Sequence, residues 1–328
     1  MDFLNKLTLD RARATNLGHR MIAVSNDFAS RILECYRQQG YDQIRGLHGA
    51  LFRNLELDGT RLTTLAARAG ITHRAMAKIV DDVERLGFLS RATDPVDRRA
   101  TLIQFTDKGL RLLKDSSAII EQIYADYSAI AGAEVVQHLE HRLYSFLSIL
   151  GVVIVHGGQQ ALHSPRPAVL HKGSSIYLSH NVGRYLQLAS DDYQYRCSLS
   201  MARRGHPGVR FDHLAVLTHL SLDGMNLTDL ADSAAISPQA MGKQARTVQK
   251  LGYVTIATSA SDRRVRFVSF TQWGLDFLRA LLASFEEIDR EYAEVVGKRK
   301  IQLLHSSLAR LVTALNLEVP VRSINSVS

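Results

Sequence analysis

The sequence predicts a mainly α-helical protein built twice over, each copy holding a helix-turn-helix and a small β-hairpin. Three observations predict it. Shifted by 165 residues, the chain matches itself without a gap, and Leu62 to Leu113 shares 22 identities in 52 positions with Leu227 to Leu278. Apolar residues recur on a helical period through most of each copy. That period breaks at the same turn residues in both copies, around two short runs suited to strands.

The repeat keeps several runs intact. Leu-Thr-x-Leu-Ala starts at Leu62 and Leu227, Ala-Met at Ala75 and Ala240, Asp-Arg-Arg at Asp97 and Asp262, and Phe-Thr-x-x-Gly-Leu at Phe105 and Phe270. Upstream the register holds at Arg31/Arg196, Gly40/Gly205, His48/His213 and Asp58-Gly59/Asp223-Gly224. Downstream it is fainter, with Glu121/Glu286, Tyr127/Tyr292 and Leu143/Leu308. Chance does not give such a match; this is a duplication.

Residues 152–174 change character, with Gly157-Gly158-Gln159-Gln160 and His163-Ser164-Pro165-Arg166-Pro167 and no helical stripe. They read as a linker. The expected organisation is a unit at 1–151, the linker at 152–174, a unit at 175–320 and a tail at 321–328. The linker is compatible with two independent beads and with two halves of one body.

Within one copy, Met21, Val24, Phe28, Ile32 and Cys35 share a helical period over 15–39. A second helix is expected at about 44–57, ending at the turn signal Asp58-Gly59. Thr60 or Arg61 then opens a short helix through Leu62, Leu65, Ala66 and Ala69. Gly70-Ile71-Thr72 makes a tight turn, with Thr72 as the cap of a helix over about 73–86. Gly87 stops that helix. Phe88 to Arg91 and Thr101 to Phe105 read as strands around Asp94-Pro95-Val96-Asp97. Thr106 starts a long helix, and another covers 134–150. The second copy follows at +165.

Composition narrows the function. The net charge is +8 and the pI about 9.6, which favours polyanionic partners. Two cysteines, Cys35 and Cys197, are too few for a disulfide framework and fit a reducing cytoplasm. The first twenty residues carry Asp2, Lys6, Asp10, Arg11 and Arg13 where a signal peptide needs an apolar run, so no export is expected. Leu143 to Val155 is interrupted by Ser145, Ser148 and Gly151 and falls short of the roughly 20 residues of a membrane span. No membrane partner is expected.

The chemistry concentrates on the helix at 73–86. Met76, Val80, Val83 and Gly87 share one face; Arg74, Lys78, Asp81 and Arg85 lie opposite. The same face of copy two carries Gln239, Lys243, Arg246 and Lys250. A buried aliphatic stripe behind a row of Arg, Lys and Gln suits the major groove of double-stranded DNA, where Arg and Lys meet guanine and Gln meets adenine. The hairpins add Asp97-Arg98-Arg99 and Asp262-Arg263-Arg264, two cations that reach a minor groove or its phosphates. The carboxylate before them is placed to pair with one guanidinium. Asp81 faces a polyanion and must pair with a neighbour, with Lys78 and Arg85 in reach, or weaken binding.

These motifs together resemble the MarR family of winged helix-turn-helix transcriptional regulators: Leu-Thr-x-Leu-Ala, Gly-Ile-Thr leading into the helix and Leu-Gly-Phe, Asp-x-x-Asp-Arg-Arg, and Phe-Thr-x-x-Gly. Copy two departs by Ala235 for Gly70, Pro238 after Ser237, and Ser259 for Asp94. The match is close over 62–113 and 227–278 and only a pattern outside them. The resemblance implies DNA contacts from Thr72, His73, Arg74, Lys78, Arg85, Asp97, Arg98 and Arg99, and from Ser237, Gln239, Lys243, Arg246, Lys250, Asp262, Arg263 and Arg264. Family members are homodimers with interlocked terminal helices, so the two copies would form a covalent pseudo-dimer; a homodimer of the full chain is the alternative. The family also implies a small aromatic or phenolic acid effector, for which Arg31, His48, Arg196 and His213 lie in suitable segments. A role for these four in folding is equally compatible.

Other constellations are weaker. His138 and His141 stand three apart on a helix, a spacing used by some metal sites, but copy two repeats neither, so they read as a solvated face and no metal is expected. Cys35 and Cys197 read as structural thiols. No nucleophile elbow, phosphate loop or paired-carboxylate pattern occurs, so neither an enzyme nor a cofactor is expected. The leading reading is a nucleoid-associated cytoplasmic regulator, a repressor or an activator, that reads an imperfect palindrome with two non-identical helices. Its rivals are a constitutive architectural DNA binder without an effector and an interaction scaffold that has lost DNA binding.

Overall fold

The computed structural model describes residues 15–95, 97–152, 155–156, 159–160, 182–209, 211–234, 236–258 and 266–317. Copy one opens with α1 (Leu17–Gln38). Asn16 precedes it and accepts from the His19 backbone N–H at 2.8 Å, the capping role for which asparagine is well suited.

The helix expected over about 44–57 does not form as one piece. The chain makes a 3₁₀ turn at Gly46–His48 and then the four-residue α2 (Gly49–Phe52). Gly46 and Gly49 each weaken a helix by about 1 kcal/mol relative to alanine. In copy two the same positions are Phe211 and Leu214, and a nine-residue helix forms there.

A second difference lies just beyond. Arg61 opens the next helix as its N-cap, as expected, but with Thr60 it also forms strand β1 (Thr60–Arg61), which pairs with β3 (Thr101–Phe105) through Thr60↔Ile103 and Arg61↔Leu102. Gly59 makes the turn into it at φ +97°, where a Cβ would fall 3.2 Å from the Ile103 carbonyl. The helix-turn-helix follows as α3 (Leu62–Ala69), a turn with Gly70 at φ +64°, and α4 (His73–Arg85). Strand β2 (Leu89–Thr93) then pairs antiparallel with β3 from Leu89↔Phe105 to Thr93↔Thr101, so the sheet runs β1-β3-β2. Thr106 starts α5 (Asp107–Ala131), Gly132 interrupts it at φ +95°, and α6 (Ala133–Ile149) follows.

Within the expected linker, β4 (Val155–His156) pairs with β5 (Gln159–Gln160); Gly157-Gly158 and residues 161–174, His163-Ser164-Pro165-Arg166-Pro167 among them, lie outside the described residues. Copy two repeats the order with α7 (Val182–Arg203), α8 (Phe211–His219), β6 (Met225–Asn226), α9 (Leu227–Ser233) and α10 (Pro238–Lys250). Strands β7 (Val254–Thr258) and β8 (Arg266–Phe270) complete a second sheet, β6-β8-β7. After α11 (Gln272–Tyr292) a π-helical turn, Ala293–Gly297, leads into α12 (Lys298–Ala314). Gly297, at φ +99°, is the repeat partner of Gly132, so both copies turn at the same residue. The fold is mainly helical with two small three-stranded antiparallel sheets. Among the described residues no helix is long and apolar enough to cross a membrane.

The cores follow the repeat. Leu65, Met76, Val80, Val83 and Ile103 are buried in copy one, and Leu230, Met241, Ala245, Val248 and Val268 are their repeat partners. Each of these leucine, isoleucine, valine and methionine side chains contributes about 1.5–3 kcal/mol when removed from water.

The chain divides into two compact units that cut across the repeat. One spans Met21–Ala189 and Arg299–Leu317; in the other, Ser190–Lys298 joins the described residues up to Arg20. Each array therefore packs with a segment of the other copy. In the first unit, Arg142 of α6 donates to the Leu303 carbonyl at 3.1 Å and to the Ser307 hydroxyl on α12. Arg142 and Ser307 are the same position of the repeat. In that unit a Cβ on Gly183 would fall 2.2 Å from the Phe28 ring. In the other, a Cβ on Gly18 would fall 2.0 Å from the Tyr193 ring, and Asn16 donates to the Tyr193 hydroxyl at 2.7 Å. Gly18 pairs with Gly183 in the repeat, and Phe28 with Tyr193.

Candidate nucleic-acid interface

The helix-turn-helix of copy one is shaped by local caps. The Thr72 hydroxyl accepts from the Ala75 N–H at 3.2 Å, the N-cap expected of it, and Ser237 does the same for Ala240 at 3.2 Å. Pro238 occupies the first position of α10, where its missing N–H costs nothing. Thr106 accepts from Gly109 N–H at 3.2 Å and donates to the Gly87 carbonyl at 2.7 Å; Thr271 repeats both bonds with Gly274 and Gly252. That hydroxyl fastens the loop after α4 or α10 to the helix after the hairpin.

The two faces of α4 separate as expected. Met76, Val80 and Val83 are buried, and Thr72, His73, Arg74, Lys78, Asp81 and Arg85 are exposed. Gly87 does not belong to the buried stripe: α4 ends at Arg85, and Gly87 is an exposed turn residue at φ +80°. On α10, Met241, Gly242, Ala245 and Val248 are buried, and Ser237, Gln239, Lys243, Arg246 and Lys250 are exposed.

Asp81 does not pair with its helix neighbours on the outward row, Lys78 and Arg85. Asp81 pairs with Arg91 of β2, and Arg91 also reaches Glu84 at 3.3 Å. Asp82 pairs with Arg85 and, at 2.8 Å, with Arg45. Arg85 thus turns to Asp82 and to the Asp81 carbonyl (3.3 Å), while Lys78 has no ion pair among the described residues. The wing strand supplies the answer because β2 runs beside the last turns of α4. Side-chain charges on α4 then cancel, with Arg74, Lys78 and Arg85 against Asp81, Asp82 and Glu84. Helix α10 carries Lys243, Arg246 and Lys250 with no acid at all.

At the hairpin tip Asp97 accepts from the Arg99 backbone N–H at 3.1 Å and side chain at 3.3 Å, so it directs one of the two exposed guanidiniums. Buried Asp94 accepts from Arg61 at 2.6 Å and from the Asp97 N–H at 3.3 Å, which ties the tip to β1. Both members of that ion pair change together in copy two, to Asn226 and Ser259. Asp262, Arg263 and Arg264 lie outside the described residues.

The four effector candidates occupy two kinds of place. Arg31 donates to Asp27 at 2.7 Å and sits 5.4 Å over the Tyr127 ring, and the hydrogen bond to Asp27 raises its pKa. Tyr127 donates to the same carboxylate, and burial first, then that bond, pushes its pKa up. Arg196, Asp192 and Tyr292 repeat the arrangement, with Arg196 also 3.2 Å from Glu291. His48 is fully buried; its Nδ1 accepts from the Arg45 N–H at 3.2 Å, and burial lowers its pKa. His213 is buried too.

His138 and His141 are exposed on α6, and among the described residues no group of three His, Cys, Asp or Glu could hold a metal. Cys35 and Cys197 are half-buried, and burial pushes the Cys197 thiol up to about 11, which disfavours the reactive thiolate. Arg45, Arg61 and Arg91 were not among the sequence-predicted site residues. The signal for Arg91 was present: it becomes Ile256 where Asp81 becomes Arg246.

The chain is structurally similar to MarR-family regulators over about two fifths of its length. A MarR-family regulator from Rhodococcus sp. RHA1 matches 42% of this chain and 94% of its own at 15% identity and a TM-score of 0.33. The YusO protein of Bacillus subtilis matches 35% of this chain and 79% of its own at 23% identity and a TM-score of 0.30. NadR, solved in complex with 4-hydroxyphenylacetate, matches 44% of this chain and 96% of its own at 21% identity and a TM-score of 0.30. No family model and no curated protein sequence matches the chain.

Proposed function

We propose that the protein is a DNA-binding transcriptional regulator whose two winged helix-turn-helix copies read two unlike half-sites. One observation carries this: the same array recurs 165 residues apart, and each time the helix after the turn buries its aliphatic face and exposes a row of cationic or amide side chains. A helix so presented meets base edges in the major groove, while wing arginines reach phosphates or the minor groove. The proposed contacts are Thr72, His73, Arg74, Lys78, Arg85 and Asp97-Arg98-Arg99 in copy one. In copy two they are Ser237, Gln239, Lys243, Arg246, Lys250 and Asp262-Arg263-Arg264.

The same reading makes the chain a covalent pseudo-dimer. Contacts in which residue i meets j′ and i′ meets j are the mark of a two-fold interface, and Gly18–Tyr193 with Gly183–Phe28 supports one here. Arg142 with Ser307, a position meeting its own repeat partner, belongs on such an axis. One chain then covers one pseudo-palindrome, with half-sites about one helical turn apart.

Footprinting on the protein's own upstream region, with solution mass and DNA stoichiometry, tests this. One chain per protected site is expected; no protection of any duplex sinks the proposal. Repeating the footprint with aromatic acids, 4-hydroxyphenylacetate among them, tests an effector response. Unchanged protection with every acid favours a constitutive binder.

A further inference from the structure

Asp81 and Arg246 occupy one repeat position on the exposed faces of α4 and α10 and carry opposite charge. Resting on the reading of these helices as groove readers, we propose that this position gives the DNA site its polarity. Asp81 selects cytosine in one half-site, and Arg246 selects guanine at the related position of the other.

An acid on a groove-facing surface is repelled by phosphates, yet it has one complementary target there. A carboxylate oxygen accepts from the exocyclic N4 amine of cytosine, whereas arginine donates to O6 and N7 of guanine. Adenine also offers an amine, but its N7 acceptor stands beside it and repels a carboxylate.

Asp81 is prepared for such a contact. Its side chain is 55% exposed, Oδ1 is held by Arg91, and Oδ2 has no partner among the described residues. Arg91 offsets part of the charge of Asp81, since the same guanidinium also reaches Glu84 at 3.3 Å, and the free oxygen stays an acceptor of net negative charge. Held from the neighbouring strand, the carboxylate has few directions left to it. In copy two the arrangement is gone as a set: Ile256 stands for Arg91, Arg246 for Asp81 and Gln249 for Glu84. A brace between helix and wing explains the joint loss of the pair. It does not explain why the acid position acquired the residue type that reads the opposite base.

Selection from a randomised duplex pool tests the proposal, with wild type, Asp81→Asn, Asp81→Arg and Arg91→Met compared and circular dichroism confirming that each is folded. Wild type is expected to enrich cytosine at one position of one half-site and guanine at the related position of the other. Asp81→Asn should lower the cytosine preference on the order of tenfold. Asp81→Arg should convert it to guanine, and Arg91→Met should weaken it while the other half-site keeps its guanine. The proposal is overturned if Asp81→Asn and Asp81→Arg keep wild-type preferences and merely tighten binding to all sequences, since Asp81 would then only repel phosphate. A wild type that binds duplexes without enriching any sequence overturns the sequence-reading function itself, a distinct result.

Discussion

Tyr127 donates its hydroxyl hydrogen to Oδ2 of Asp27 at 2.7 Å, across a hundred residues of chain, and Tyr292 does the same to Asp192 at 2.7 Å. Arg31 and Arg196 complete the two carboxylates. A network kept intact through duplication, while the outward faces diverged, marks a requirement of the fold. Tyr127→Phe should lower the stability of the protein by about 1–3 kcal/mol, the cost of leaving a half-buried carboxylate one donor short. Tyr292→Phe should cost a similar amount. Urea denaturation checks both. Tyr127→Phe combined with Arg31→Met should be non-additive by about 0.5 kcal/mol or more, because the two share one acceptor.

The start of α5 leaves no room for a side chain. A Cβ on Gly109 would lie 2.1 Å from the Phe88 carbonyl, and one on Gly274 would lie 2.1 Å from the Tyr253 carbonyl. Neither obstacle is the flexible end of a side chain. Gly109→Ala and Gly274→Ala should each destabilise the protein by about 1–3 kcal/mol. Thermal melting provides the comparison, and a variant as stable as wild type would show that the helix start can shift freely.

Side-chain charge differs between the two proposed reading helices, cancelling on α4 and reaching three uncompensated cations on α10. Removing one phosphate contact lowers the slope of log affinity against log salt by about 0.9. Lys243→Ala should show a change of about that size, and Lys78→Ala a smaller one. Equal changes would mean that copy one releases as many counterions as copy two.

Asp289 on α11 has one oxygen buried without a hydrogen-bond partner among the described residues, and burial pushes its carboxyl up to about 6. In the unfolded chain the group ionises near about 3.9. Between those values the unfolded chain releases a proton that the native protein holds. Native stability therefore falls as pH rises through that window and stays lower above it. Asp289→Asn should remove the fall and raise stability at pH 7 by roughly 1–3 kcal/mol. Urea midpoints from pH 4 to pH 7 measure it; a variant less stable than wild type at pH 7 would contradict the assignment.

Much of the fold was legible because it rests on local chemistry. Thr72, Thr106 and Gly87 mark the ends of helices through caps and turns that the residues themselves dictate. Met76, Val80 and Val83 mark the inward face of α4 by their spacing. What escaped depended on partners distant in the chain. Thr60 and Arg61 look like the approach to a helix, and only their pairing with Ile103 and Leu102 makes them a strand. The glycines at 46 and 49 divide a segment that its apolar content alone makes one helix. In the candidate interface the exposed row was readable from periodicity, but helix spacing did not give the partner of Asp81, which shows in the sequence only through the joint change of Asp81 and Arg91 between the copies. Lys78 and Arg85 are its neighbours along the helix, whereas Arg91 arrives from another element.

The division of the molecule has a consequence for its synthesis. A compact body that includes both Met21–Ala189 and Arg299–Leu317 cannot be completed while only the first half of the chain has left the ribosome. The early half must wait, with the surface that later receives α12 open to water and to other chains, until nearly all of the later half has been made. Contacts of such long sequence separation form slowly and leave intermediates prone to aggregation. Each of the two compact units draws on both repeats, so a cut between the repeats takes a packed segment away from each.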